Sequence, residues 1–220
     1  SRALSPGHCQ EVKEHTRENL ERQWAQSTAL LSPHLRLYQV HSATQASGVL
    51  GNAEVLRGLE RLKAEHGVRI GLTLSGVEQG DTLRAALQVR TTSTGELLFD
   101  CVQATWNVME QSAGDALLQA HHAGLHVIVK EALANGRLTR RNKSHSAAPT
   151  LAALADVATS LSVGGDVVGV DAVALAVAMA QPFRPMVLSG AATVEQMASN
   201  AGALQLLARL REEGAEEQLA

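Results

Sequence analysis

The chain has 220 residues, with 19 Lys plus Arg against 22 Asp plus Glu, a formal net charge of −3 and 45% hydrophobic residues. That apolar content excludes a disordered chain, and the near-neutral balance supplies no electrostatic reason to bind nucleic acid or an anionic membrane. The longest apolar stretch, Val167 to Ala180, is broken by Gly169 and Asp171 and falls short of the roughly 18 residues that span a bilayer.

Taken in chain order, Thr16 to Leu31 reads as an amphipathic helix stopped by Pro33, and Leu35 to His41 alternates apolar and polar residues as a strand does. Asn52 caps a helix running to about His66, with Val55, Leu56, Leu59 and Leu62 on one face and Gly67 at its end. Val68 to Ser75 follows as a second strand and Asp81 to Val89 as a short helix. A third strand, Phe99 to Ala104, precedes a helix over Gln111 to Ala123 that Gly124 ends. Leu125 to Val129 is a fourth strand, followed by a basic loop, Arg137 to Lys143, and Ala-rich helices near Thr150–Leu161 and Val170–Ala180. Met186 to Leu188 is a fifth strand, and a long helix begins at Thr193. Short apolar strands alternating with helices belong to a buried parallel sheet, either open and doubly wound or closed as a (β/α)8 barrel. No interdomain linker divides the chain, so residues 1–220 are read as one domain. Aromatic residues make up 2% of the chain, which leaves the core to Ala, Val, Leu and Ile.

In either parallel architecture, ligands bind at the C-terminal ends of the strands. His41, Ser75, Gln103 and Lys130 occupy such ends in four units. A histidine there either meets a ligand or is a satisfied core residue. Lys130 is either a site residue or half of a buried pair with Glu131. Ser189-Gly-Ala-Ala-Thr193-Val-Glu-Gln196 joins the fifth strand to the last helix, and Thr193 with Gln196 fits a capping box. Small residues and free N–H groups suit a phosphate there, while a plain capped turn accounts for the same spacing. The basic run at 137–143 has no interleaved aromatics and reads as a solvated loop, although its place after a strand puts it within reach of a phosphate. His8, Cys9 and His15 match no standard zinc spacing, so no metal is expected. The helix break at Gly124 separates His121 and His122 from His126. Gly-x-Gly-x-x-Gly, P-loop and Gly-x-Ser-x-Gly motifs are all missing. The two cysteines, Cys9 and Cys101, cannot form a disulfide framework, and Ser1 to Cys9 lack the apolar core of a secretory signal. Both favour a reducing, cytoplasmic setting.

Leu37-Tyr-Gln-Val-His41, Phe99-Asp-Cys-Val-Gln-Ala-Thr-Trp-Asn107, Val127-Ile-Val-Lys-Glu-Ala-Leu-Ala-Asn-Gly136 and Val187 to Asn200 resemble the aldo/keto reductase family, in its order, from about Val12 to Leu207. The resemblance implies a partial TIM-type (β/α)8 barrel, strands four to eight with their helices, N-terminally incomplete. It implies reduction of an aldehyde or ketone, or oxidation of the alcohol, by hydride transfer with NADP(H), NAD being the other candidate. On the same resemblance His41 matches the active-site histidine, while Ser75 and Gln103 match contacts of the nicotinamide carboxamide. Lys130 stands where the family places a stacking Tyr. Gly190, Ala191 and Thr193 match the turn at the adenosine 2′-phosphate, Gln196 replaces a frequent Arg, and Asn200 matches an Asn at the adenine. The family's Asp, Tyr and Lys have no counterparts in this chain: Lys13 is in a helical approach and Tyr38 is on the histidine strand. The expectation is therefore an enzyme that is inactive as this chain alone, or a catalytically silent cofactor-binding relative. The partner expected is a small-molecule carbonyl compound, with no nucleic acid or membrane.

Overall fold

Each predicted element forms, with ends moved by local chemistry. The computed structural model describes residues 14–142, 145–162, 167–215 and 219. Helix α1 (Arg17–Leu31) opens where the Thr16 hydroxyl accepts the Asn19 N–H at 3.2 Å. It is followed by β1 (Leu37–Ala43), α2 (Ala53–His66), β2 (Arg69–Leu74), α3 (Gln79–Ala86) and β3 (Cys101–Thr105). Then come α4 (Gly114–His122), β4 (His126–Lys130), α5 (Ala148–Ser160), α6 (Val170–Met179), β5 (Met186–Val187) and α7 (Val194–Glu213). Asn52 caps α2 by accepting the Glu54 and Val55 N–H groups. The first strand runs past His41 because Ser42, at φ +54°, forms a register shift between Val40 and Ala43. Alternation of side chains reads no further than that bulge.

The five strands are parallel and stand in the order β1-β2-β3-β4-β5. Parallel crossovers are right-handed in nearly all folds, so a steady order returns every helix to the same side of the sheet. A doubly wound sheet reverses its order and covers both faces. The fold is therefore that of a partial barrel wall. Its helix-facing side carries Ile70, Leu72, Leu74, Val102, Ala104, Val127 and Val129, none more than 4% exposed. These meet Val55, Leu59, Leu83, Leu117 and Ala120 of the helices in one core. The inner side carries Gly71, Thr73, Cys101, Gln103 and Ile128 in paired register. A Cβ at Gly71 would lie 3.0 Å from the Cys101 carbonyl oxygen and 3.1 Å from Gln39 Cγ, so a larger residue would push these neighbours apart by a few tenths of an ångström. Burial, with Asp100 adding, pushes the Cys101 thiol up to about 11, which leaves it inert.

Two fastenings lock the N-terminal edge of the sheet. Lys63 of α2 donates to the Leu97 and Leu98 carbonyls and pairs with Asp100 at 2.8 Å, while Asp100 accepts the Ile70 N–H at 2.9 Å. Glu60 accepts the N–H and hydroxyl groups of both Thr92 and Ser93, pinning the loop before β3 to α2. The Ser93 hydroxyl, then the two N–H groups and the Thr92 hydroxyl, hold the Glu60 carboxyl down at about 2, against an ordinary 4.5. Since the folded value is the lower one, this stabilisation is complete above about pH 4.5 and is lost as pH falls toward 2. Glu60→Gln should therefore melt below the wild type at neutral pH, with the gap closing through that acid window. A gap that stays constant with pH would contradict this linkage.

Among the described residues, β1 and β5 each pair along one side only. Met186 and Leu188 beside that second edge are 68% and 41% exposed. Unpaired edges next to apolar surface template further pairing. This 220-residue chain should accordingly self-associate in sedimentation velocity, and a concentration-independent monomer would refute that expectation.

Candidate active site

The C-terminal edge of the sheet holds all but one of the strand residues singled out in the sequence, but not in one cavity. His41 is exposed on β1 immediately before the bulge, and with Glu14, His15 and Gln39 lines a cavity of about 190 Å³. Ser75 follows β2, half-buried, its N–H donating to the Ala43 carbonyl at 3.3 Å. Gln103 departs from its predicted strand-end place. It lies mid-strand on the inner face, opposite Thr73 and Ile128, because β3 continues to Thr105. The Gln79 side-chain oxygen accepts the Thr105 N–H at 2.9 Å and extends the strand. Lys130 ends β4 opposite Thr105.

The alternative pairing of Lys130 with Glu131 does not form. Glu131 sits at φ +58°, and its carboxylate accepts the Thr105 hydroxyl at 3.2 Å while its carbonyl accepts the Asn107 amide at 2.9 Å. The chain reverses at that residue, and Lys130 is left on a cavity wall.

That cavity, about 1160 Å³, lies beyond the ends of β4 and β5 and is lined by Lys130, Gly190, Ala191, Gln196 and Asn200 among others. Gly190, at φ +63°, turns the chain between β5 and α7. Asn200 donates to both the carbonyl and the hydroxyl of Ser189 at 2.9 Å, and the Ser189 hydroxyl accepts the Ala191 N–H at 3.3 Å. Thr193 caps α7 by accepting the Gln196 N–H at 3.2 Å. The predicted capping box is only half made, because the Gln196 side-chain oxygen accepts the Ala192 N–H at 2.7 Å and not that of Thr193. The turn curls one residue further, so the long amide closes on the preceding N–H. Thr193 itself is exposed and stands outside the cavity lining. His41, Ser75 and Gln103 also lie outside it; β1 and β4 are three strand spacings apart, roughly 14 Å along a flat sheet.

The basic loop, predicted to be solvated, supplies Arg137, Arg140 and Arg141 to the same cavity. Its position directly after a strand was the sequence signal for this. Ala134 and Asn135, at φ +49° and +56°, fold the loop back over the strand end, and Leu138 is fully buried beneath it. Lys143 at the end of that run lies outside the described residues, as do His8, Cys9 and Lys13. Among the described residues no group of three or more His, Cys, Asp or Glu is placed to hold a metal ion.

Thr193→Ala removes the oxygen that satisfies an otherwise open N–H and should cost about 1 kcal/mol in urea denaturation, with Thr193→Ser close to the wild type. Equal losses in both variants would show that the methyl group, not the cap, is what counts.

The sequence model of the aldo/keto reductase family matches residues 9–216. The structure is similar to the holo form of aldo-keto reductase AKR11C1 from Bacillus halodurans, with a TM-score of 0.67 and 18% identity, covering 94% of this chain and 68% of that one. It is similar also to the glycerol dehydrogenase AKR11B4 from Gluconobacter oxydans, with a TM-score of 0.69 and 17% identity, covering 99% of this chain and 68% of that one. The chain thus spans about two thirds of the length of these solved structures, and at such identities they speak for the fold. No curated protein matches the sequence. With a one-sided parallel wall, a cavity at its C-terminal edge and a family match over nearly its whole length, the chain belongs to the aldo/keto reductase family of oxidoreductases.

Proposed function

We propose that the protein reduces an aldehyde or ketone, or oxidises the corresponding alcohol, by hydride transfer with a nicotinamide dinucleotide, NADP(H) or NAD(H). The observation that carries this reading is the cavity of about 1160 Å³ at the C-terminal edge, walled by a small-residue turn on one side and guanidinium groups on the other. Its size and its mixture of cationic and amide donors fit a long, phosphate-bearing ligand better than a small apolar one. Gly190, Ala191, Gln196 and Asn200 would hold the nucleotide end, and Lys130, with Gln103 on the adjacent strand and Ser75 after β2, the nicotinamide end. When bound, the nicotinamide supplies the hydride.

The remaining work belongs to the protein. The His41 imidazole donates a hydrogen bond to the substrate carbonyl oxygen, and that bond strengthens as negative charge grows there. Lys130 brings a cation to the place where the family resemblance puts an aromatic ring; it cannot stack, but it offers three donors to polar groups. Proton supply is the weak link of this chain. Its single tyrosine, Tyr38, packs edge-on against Trp24 with ring centroids 5.3 Å apart, and burial raises its phenol while Ser27 hydrogen-bonds it. Lys63 is engaged with Asp100 at the opposite edge. That placement of Tyr38 favours a second reading, a family member that binds dinucleotide without turnover.

In the intact protein, His41→Ala should lower kcat/KM by about 10²-fold while dinucleotide affinity and the melting temperature hold. Lost stability with intact turnover would instead make His41 a structural residue. If the intact protein quenches and shifts NADPH fluorescence yet turns over no aldehyde or ketone, the second reading is the correct one. If it does neither, both fail.

A further inference from the structure

We propose that Lys130 forms an imine with a phosphorylated aldehyde, whose charged end is held by guanidinium groups on the same cavity wall. The reaction needs no dinucleotide, so it goes beyond the hydride-transfer reading and stands or falls apart from it.

The chain has four lysines, and among the described residues Lys130 is the one that lines the cavity of about 1160 Å³. Its backbone has little freedom there. Val129 before it is fully buried, its own carbonyl accepts the Trp106 N–H at 3.4 Å, and the chain reverses at Glu131 after it. Both carboxylates on the cavity lining are engaged elsewhere. Glu131 accepts the Thr105 hydroxyl, and Asp171 accepts the Ser199 hydroxyl. Half-buried Lys130 accordingly has no hydrogen-bond or ion-pair partner for Nζ among the described residues. Lys63, by contrast, is tied to two carbonyls and to Asp100. An amine with no structural bond to keep, facing a cavity, is free to act as a nucleophile.

The charge of the lining says which carbonyl compounds reach it. Lys130 and four arginines share the cavity with only Glu131 and Asp171. Arg137 and Arg209 donate to the Ala134 and Leu161 carbonyls, while Arg140 and Arg141 present exposed guanidinium groups. A phosphate takes bidentate, charge-assisted bonds from such groups, and holding that end makes attack at the carbonyl carbon a local event. A neutral aldehyde has no such hold. The step itself is a condensation. The Nζ lone pair adds to the carbonyl carbon, the C–O bond breaks, and the oxygen leaves as water. Two of the three ammonium protons depart in that water and the third stays on the iminium, so nothing is oxidised or reduced.

The test is trapping with cyanoborohydride in the intact protein, with glyceraldehyde 3-phosphate or glyceraldehyde as the probe and peptide masses locating the adduct. With the phosphorylated probe, Lys130 should be modified about tenfold faster than Lys13, Lys63 or Lys143, and with glyceraldehyde no faster than they are. Arg140→Gln/Arg141→Gln, or added inorganic phosphate, should remove that excess, and the phosphate arm decides should the double variant misfold. Lys130→Arg, with a melting curve matching the wild type, should show no excess at all. Labelling spread evenly over the four lysines would overturn the proposal, as would equal rates at Lys130 with both probes. NADPH tells the two readings apart. Preferential labelling of Lys130 that NADPH fails to slow would uphold the imine and count against the dinucleotide in this cavity. Evenly spread labelling in a protein that binds NADPH would overturn the imine alone.

Discussion

The apolar layer between the sheet and its helices can exist on one side only, and everything else in the molecule follows from that restriction. Leu72, Val102 and Val129 have no exposed surface, and their neighbours in sequence point the other way. Because the strands succeed one another in steady order, each crossover returns its helix to this same side, and a single core serves all the units. The inner side is left for small and polar groups. Gly71 is the clearest instance, since a methyl group there would crowd the backbone of β3 and Gln39.

The same restriction divides the two edges of the sheet by task. At the N-terminal edge, Lys63, Asp100 and Glu60 make short hydrogen bonds that fix loops to helix α2. At the C-terminal edge, the backbone enters unusual conformations where β1 and β4 end, with Ser42, Glu131, Ala134 and Asn135 at positive φ. Such conformations persist only where the surrounding contacts determine them. Buried Leu138 and the Asn107 bond to the Glu131 carbonyl do so after β4. A stiff edge therefore supports a shaped one, and the large cavity belongs to the shaped one.

Within that cavity, polar side chains close to the turn serve the turn itself. Asn200 and Gln196 hold Ser189 and Ala192, which makes Gly190 and Ala191 a fixed wall with backbone exposed to a ligand. Charge comes from elsewhere in the chain, from a loop about fifty residues earlier in sequence. The cavity is thus divided between a neutral wall and a cationic one, and neither half is recognisable as a candidate site without the other.

Local order was legible in the sequence because its determinants are local. Thr16, Asn52 and Thr193 mark helix starts by capping, Gly67 ends α2 in a left-handed conformation, and short Val- and Ile-bearing runs give strands. The strand that bears His41 and the turn at Gly190 were found from such signals together with the family resemblance. The bulge at Ser42 and the mid-strand position of Gln103 were not, because each depends on a neighbour supplied by another segment, and the redirected Gln196 amide depends on the path of its own turn. The alternation of strand and helix is compatible with both an open sheet and a barrel wall, and only the order of pairing separates them. Likewise Arg140 and Arg141 read as solvated charges along the chain, and only folding sets them against the start of α7. Sequence determines which backbone each segment prefers, through sterics and hydrogen bonds a few residues long. Which segments face one another is decided by burying a shared apolar layer, and that is a property of the whole chain.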